Sequence, residues 1–481
     1  MIQPSAASEV PTFFGPPDSP LFGVVHLPAD RRIRGGVIIC HSLGKQAVHS
    51  VVAERILACD LADRGFAVLR FDYLCTGDSA YPQTCPDAVD NWRRSIGYAI
   101  DYLTEAGASR ITAIGMRAGG ILLSNYLQTP QPVGQAQVDK VVYLDPIGSG
   151  RRFLREQEAL FRIAVADDDP EDGSGDTVSI IAARLSTVAA RELSALKLTA
   201  QRPDSIEHFL VLRTAASDSG VTALAATPGI QSTSVEGLIE FDQPDSVSPP
   251  IPFTAIDAVV NWVDEASSAT ERTPVEATFR DTARTPVDGT PEHGFVVERI
   301  ETIGENGLFA IRTMPENATP GDGKVVLFHG TGLDPHLGPV REWVELSRRI
   351  AQCGAQAVRW DRTGVGQSGA VRRTHWEPVY SSAHVADAVT MTRHAAKDAA
   401  QVRSIGICSG AWYAAHALRV IASGSVVLVN PLIWNWRSSA SFIWQWHAKK
   451  MVVPSVPSAP FRKTEYARRA AIEWLKPARA Q

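Results

Sequence analysis

The sequence predicts an α/β protein built as two parallel-sheet domains in tandem. Three observations carry this: a series of strand-like blocks that occurs twice in the same order, helical patterns between the blocks, and a length of 481 residues, more than one ordinary core holds.

The blocks come first. Gly35-Gly36-Val37-Ile38-Ile39-Cys40-His41 answers to Gly323-Lys324-Val325-Val326-Leu327-Phe328-His329. Val68-Leu69-Arg70-Phe71-Asp72 answers to Ala357-Val358-Arg359-Trp360-Asp361. Ala113-Ile114-Gly115-Met116-Arg117-Ala118-Gly119 answers to Ser404-Ile405-Gly406-Ile407-Cys408-Ser409-Gly410, and Val141-Val142-Tyr143-Leu144-Asp145-Pro146 to Val426-Val427-Leu428-Val429-Asn430-Pro431. The offset is roughly 285–291 residues, the size of a domain and far beyond a solenoid repeat. Each block is apolar and β-branched and ends in a turn signal, as expected of a strand covered on both faces. Helical patterns such as Ala53–Ala62 and Arg341–Leu346 lie between them, so right-handed βαβ crossovers and a doubly wound sheet follow.

These patterns place a first domain at residues 1–265, a linker rich in Thr, Ala, Pro and acidic residues at 266–293, and a second domain at 294–481. Within the first domain, residues of about 151–201 interrupt the strand series. They read either as a cap over the carboxyl edge of the sheet or as a polar loop without function. Strands resume at His208–Arg213 and Gly237–Phe241, and a helix at Ala255–Trp262 closes the domain.

Composition narrows the function classes. With 44% hydrophobic and 21% charged residues the chain has the balance of a globular protein, and a net charge of −5 makes no electrostatic case for nucleic acid or an anionic membrane. No apolar run is long enough to span a bilayer, and Met1–Ser5 opens no signal-peptide pattern. The six cysteines form no CxxC pair, which predicts reduced thiols, no metal site and a cytoplasmic setting.

At Cys40-His41-Ser42-Leu43-Gly44, Leu69-Arg70-Phe71-Asp72-Tyr73 with Gly77-Asp78-Ser79, Gly115-Met116-Arg117-Ala118-Gly119 and Asp145-Pro146-Ile147, the sequence resembles the α/β-hydrolase superfamily, in particular its serine-aminopeptidase-like branch. The first domain is similar to the hydrolase-like proteins of bacterial surface-polysaccharide systems, the exosortase-associated kind included, which share an arginine in the elbow. The second resembles a relative through Gly406-Ile407-Cys408-Ser409-Gly410 and Val429-Asn430-Pro431. The resemblance implies two tandem α/β-hydrolase-type domains, the first with a cap insertion, the second without its last strands.

In that fold the nucleophile sits in a G-x-Nuc-x-G turn between strand and helix. The first turn fits at Gly115 and Gly119, but its centre is Arg117, a permanent cation that cannot attack a carbonyl. No histidine falls between His208 and His293 to act as base, and Asp218, near the usual acid position, has no imidazole to orient. Arg117 is either an anion receptor for a carboxylate or phosphate, beside the loop after His41, or a structural arginine paired with Asp72 or Asp145. His41-Ser42-Leu43-Gly44 reads as the oxyanion-loop segment rather than as a second elbow.

The second turn puts Cys408 at the nucleophile position, facing a helix N-terminus whose field favours a thiolate. His329-Gly330-Thr331 follows the preceding strand, where backbone N–H groups would form an oxyanion hole. Against this stands the inert buried thiol. Ser409 is the poorer nucleophile, His416 and His447 hold no expected base position, and no acid- or histidine-bearing strand follows Asn430-Pro431. The chain is then either a truncated form of a longer protein or one whose second domain lost its final strands; a homo-oligomer or a partner chain supplying them stays open. The aromatic run Trp434 to Trp446 would line a sugar or acyl site or pack a core. Two functions follow: a hydrolase or acyltransferase acting on an ester, thioester or acyl substrate, without cofactor, and a non-catalytic pseudoenzyme that binds an acyl or acidic-sugar ligand.

Overall fold

The computed structural model describes the chain apart from residues 1–6, 131–133, 166–174, 215–216, 239–250, 268–270, 319–322, 371–377, 398, 421–423 and 432–481. Its described residues form two compact units, the first within Met1–Phe161 and Asp172–Asp281, the second within Thr282–Gln481 and Arg162–Glu171.

In the first unit the elements run β1 (Ser8–Phe14), β2 (Leu21–Leu27), β3 (Arg32–Ile33), β4 (Gly36–Cys40), α1 (Lys45–Asp63), β5 (Ala67–Phe71), α2 (Ala88–Glu105), β6 (Arg110–Met116), α3 (Ala118–Leu127) and β7 (Gln137–Leu144). They continue α4 (Gly150–Val165), β8 (Thr177–Ile180), β9 (Ala183–Ser186), α5 (Thr187–Ala195), β10 (His208–Arg213), α6 (Ser219–Ala225), β11 (Gln231–Ser234), α7 (Phe253–Glu265) and β12 (Thr273–Pro274). The eight-stranded sheet has the order β1-β2-β5-β4-β6-β7-β10-β11. Its first two pairings are antiparallel and the rest parallel. β4 and β5 are buried along their whole length, which is why they read as apolar runs, interrupted only by Arg70. α2 instead shows helical spacing: Trp92, Ile96, Ala99, Ile100 and Leu103 face the core.

The second unit contains β13 (Thr282–Pro286), β14 (Phe295–Ile303), β15 (Leu308–Pro315), β16 (Gly323–His329), α8 (Glu342–Gln352), β17 (Gln356–Trp360), α9 (Ser382–Lys397), β18 (Ala399–Ile407), α10 (Ser409–Ala417) and β19 (Gly424–Val429). Its sheet order is β13-β14-β15-β17-β16-β18-β19. The four matched block pairs therefore occupy β4 and β16, β5 and β17, β6 and β18, β7 and β19. Alternate residues of β16 feed two cores, Val325 and Leu327 on the α9/α10 face, Val326 and Phe328 on the α8 face.

Two expectations need correction. The stretch 266–293 is not a free linker: Thr273–Pro274 pairs with β3, the Tyr102 hydroxyl donates to the Thr278 carbonyl at 3.0 Å, and Thr282–Pro286 is a strand of the second sheet. Its polar composition hid these pairings because they are made by backbone. The last described strand of the first sheet is Gln231–Ser234, fully exposed and without an apolar pattern, whereas Gly237 and Leu238 lie in a turn; 239–241 fall outside the described residues. The antiparallel edge of the second sheet has three strands, because β13 adds to β14. The absence of final strands in the second unit concerns 432–481 and lies outside the described residues, as do Trp434, Trp436, Phe442, Trp444, Trp446, His447 and the helical stretch 466–478.

Both antiparallel edges carry a carboxylate at one register, half-buried in the first sheet and fully buried in the second. Glu9 faces His26 across β1/β2, and Glu298 faces Thr313 across β14/β15. Arg55 of α1 grips Glu9 through two bonds of 2.8 and 2.9 Å. Arg348 of α8 reaches Glu298 at 2.8 Å and Arg359 of β17 reaches it at 2.7 Å. Arg70, at the β5 position matching Arg359, meets the His26 ring instead at 2.9 Å. The larger imidazole stands where the second unit has only Thr313, so the arginine there contacts the carboxylate directly.

Candidate functional site

Both sharp turns are strand-to-helix corners. Arg117 caps α3 at φ 49°, ψ −119°, and Cys408 caps α10 at φ 57°, ψ −118°. A side chain in this region is strained by about 1–3 kcal/mol, so the surroundings must hold it there. Close packing does so. A Cβ on Gly119 would stand 2.1 Å from the Cys40 carbonyl oxygen, and one on Gly410 2.2 Å from that of His329. Amide bonds lock each corner to the next strand, Arg117 N to Leu144 O at 3.1 Å and Cys408 N to Val429 O at 2.9 Å.

In the first unit the Arg117 guanidinium donates to Asp145 Oδ2 at 2.5 Å, with both side chains mostly buried. Asp72 is occupied elsewhere: it accepts from the Asp78 amide at 2.8 Å and lies where a Cβ on Gly77 would be. His41 and Ser42 lie beside the corner. Ser42 Oγ receives the Ala118 amide at a long 3.4 Å and donates to Gln46 Oε1 at 2.8 Å, so a hydroxyl stands where an oxyanion would be received. The His41 Nδ1 contacts the Ser42 carbonyl at 2.5 Å, and the Tyr73 hydroxyl donates to the His41 carbonyl. Asp218 caps α6 through Val221 N and accepts from Gly148 N at 2.8 Å, a structural role. Residues of the 151–201 insertion reach this edge: Lys45 N donates to Ile181 O at 2.8 Å, and Ile180 and Leu193 join the core.

In the second unit Cys408 is partly buried against the α8-side core. The Gly332 amide donates to Ser409 Oγ at 2.8 Å, which explains the serine as a loop anchor. Arg362 holds the same loop, donating to the Gly330 carbonyl at 2.6 Å and to that of Gly332, with its guanidinium 4.6 Å over the Tyr413 ring. Thr331 accepts from the Asp334 amide at 2.9 Å. His329 is fully buried, edge-on to Trp360, and neither ring nitrogen has a hydrogen-bond partner among the described residues. Burial, helped by Arg362, pulls its pKa down to about 3, so the ring is neutral. His336 is held by Asp361 at 2.9 Å, His384 by the Thr363 carbonyl, and His416 packs at a tilt against Trp412. Among the described residues no imidazole is hydrogen-bonded to the Cys408 thiol.

Arg362 and Tyr413 were not legible as site residues. The only sign is that Arg362 directly follows Asp361, the last residue of a matched block.

Glu9, His26 and Cys59 bring three donor atoms within 4.8 Å of one another. Arg70 donates to His26 Nε2, which leaves the proton of the neutral ring on Nδ1, the atom turned towards Cys59 and Glu9. Burial first, and Arg70 second, keep the ring neutral, and burial lifts the Cys59 thiol to about 12. With Glu9 already bound by Arg55, these groups make an internal network and a poor metal ligand set. No described helix is long and apolar enough to cross a membrane.

No protein-family model matches this chain, and no curated protein does. Among solved structures it is similar to a hypothetical protein of Pseudomonas aeruginosa (16% identity, 55% of this chain and 95% of that one, TM-score 0.38). It is also similar to a fungal esterase of Rhizomucor miehei (16% identity, 56% and 87%, TM-score 0.36) and to an esterase of Pyrococcus furiosus (14% identity, 55% and 91%, TM-score 0.35).

Proposed function

We propose that the chain is a tandem duplication of α/β-hydrolase-type domains in which Cys408 accepts an acyl group from a thioester, while the first domain binds without catalysing. The observation that carries this is the pair of equally strained corners, one closed by an ion pair and the other presenting a thiol. A thioester suits a site with no imidazole on its thiol among the described residues better than an oxygen ester does. Cys408 Sγ bonds to the carbonyl carbon, the substrate C–S bond breaks, and the departing thiolate takes up a proton equivalent to the one the thiol released to water. Attacking and leaving groups are then of one kind, so no strong base is required. The N–H groups of Ser409 and Thr331, which donate to no other described residue, are the groups available to an oxyanion.

The insertion at 151–201 would act as a cap over the first domain's edge. The surface-polysaccharide setting and the serine-aminopeptidase-like branch rest on the sequence resemblance alone. A second reading, a wholly non-catalytic binding protein, is favoured by Ser42 and Asp145 filling the first site.

Intact-mass analysis after incubation with an acyl-N-acetylcysteamine thioester separates the two. One added acyl group, mapped to Cys408 and lost in Cys408→Ala, supports acyl transfer. Acylation spread over the exposed Cys353, or none at all, supports the binding protein.

A further inference from the structure

The first unit's parallel strands present their carboxyl ends to the Arg117 corner; a separate cavity lies at their opposite, amino ends. It measures about 130 Å³, room for several waters or a small molecule, and its walls include Arg34, Phe66, Arg110, Asp139, Lys140 and Glu207. We propose that this cavity binds a small oxyanion that keeps one acidic O–H, of which phosphate is the type.

Asp139 carries the inference. It is fully buried at the start of β7, and its Oδ2 accepts from Arg110 and from Lys140, each at 2.9 Å. Its Oδ1 is buried with no hydrogen-bond partner among the described residues. A buried carboxylate oxygen left bare is costly, and what it lacks is a donor. Arg34, which also lines the cavity, shows the opposite deficit. Its two terminal nitrogens are engaged, Nη1 by Asp264 at 2.6 Å and Nη2 by the Ser267 carbonyl at 2.5 Å, while its Nε has no acceptor among the described residues.

The occupant must therefore offer an O–H or N–H to Asp139 and an acceptor to Arg34. Charge decides which class. Arg34, Arg110 and Lys140 line the cavity against two carboxylates, Asp139 and Glu207. Asp264, which pairs with Arg34, is shared with Arg64 and so does not cancel the excess. One surplus positive charge favours an anion, and the bare carboxylate oxygen demands that this anion keep a proton. Phosphate at neutral pH meets both conditions. Sulfate has the same shape and no proton, and would set a lone pair against Asp139 Oδ1.

Isothermal titration of the full chain with inorganic phosphate and with sulfate at pH 7 tests this. Expected are saturable phosphate binding and sulfate at least about tenfold weaker. Asp139→Asn can turn an amide N–H to the ligand, so it should bring the two anions to within about twofold of each other. Glu207→Gln, at the exposed mouth, should tighten both several-fold and leave the preference intact. Three results each overturn the proposal: no saturation by about 10 mM phosphate, equal affinity for sulfate in the unaltered protein, or an unchanged preference in folded Asp139→Asn. Should Asp139→Asn fail to fold, the phosphate–sulfate comparison and Glu207→Gln decide alone.

Discussion

Replacing Glu298 by Gln should destabilise the second unit far more than replacing Glu9 by Gln destabilises the first. Glu298 is fully buried and receives Arg348 at 2.8 Å and Arg359 at 2.7 Å, one on each oxygen. An amide keeps one acceptor but turns an NH2 group towards a guanidinium, leaving two buried cations with one neutral partner. Breaking a buried charge cluster in this way costs about 3–5 kcal/mol. For a unit of this size that lowers Tm by roughly 6–20 °C. The Glu9 side chain is 23% exposed and receives a single arginine, Arg55, among the described residues, so water takes over part of the lost interaction and the cost falls to about 1–2 kcal/mol. Differential scanning calorimetry of the two variants compares the losses directly. A combined Glu298→Leu, Arg348→Met, Arg359→Met variant should regain most of the stability, because no unpaired charge stays behind. An equal or smaller loss at Glu298 than at Glu9 would refute the reasoning.

Other outcomes follow from the corners and from one carboxylate. Arg117→Ser should yield no turnover of p-nitrophenyl esters, because Ser42 already stands at the Ala118 amide and no histidine is in place; measurable burst kinetics would contradict this. Gly410→Ala puts a methyl 2.2 Å from a backbone oxygen and should cost about 3 kcal/mol in urea unfolding. Burial opposes ionisation of Glu301, but hydrogen bonds from His394 and Arg312 outweigh it and bring its pKa from 4.5 to about 2. Its contribution is therefore complete above pH 4.5 and drains away as pH falls towards 2, about 3 kcal/mol in all. Acid titration of stability should show this loss in the unaltered protein and a smaller one in Glu301→Gln.

Read by itself, the order of residues determined the α/β class, the four strand blocks of each half and the two corner residues. Those features are local: an apolar β-branched run, a turn signal, two glycines around one side chain. Tertiary structure decided what each corner does. Whether Arg117 faces a ligand or Asp145 depends on a residue 28 positions away meeting it at 2.5 Å, which no spacing rule contains. Ser42 on the Ala118 amide, Arg362 under the loop after His329, and an Asp139 Oδ1 with no partner among the described residues beside a cavity are likewise products of strands brought side by side. The polar strands Gln231–Ser234 and Thr282–Pro286 escaped notice for a related reason. Their pairing is made by backbone N–H and C=O groups, which every residue carries alike, so only the neighbouring strand shows where they belong.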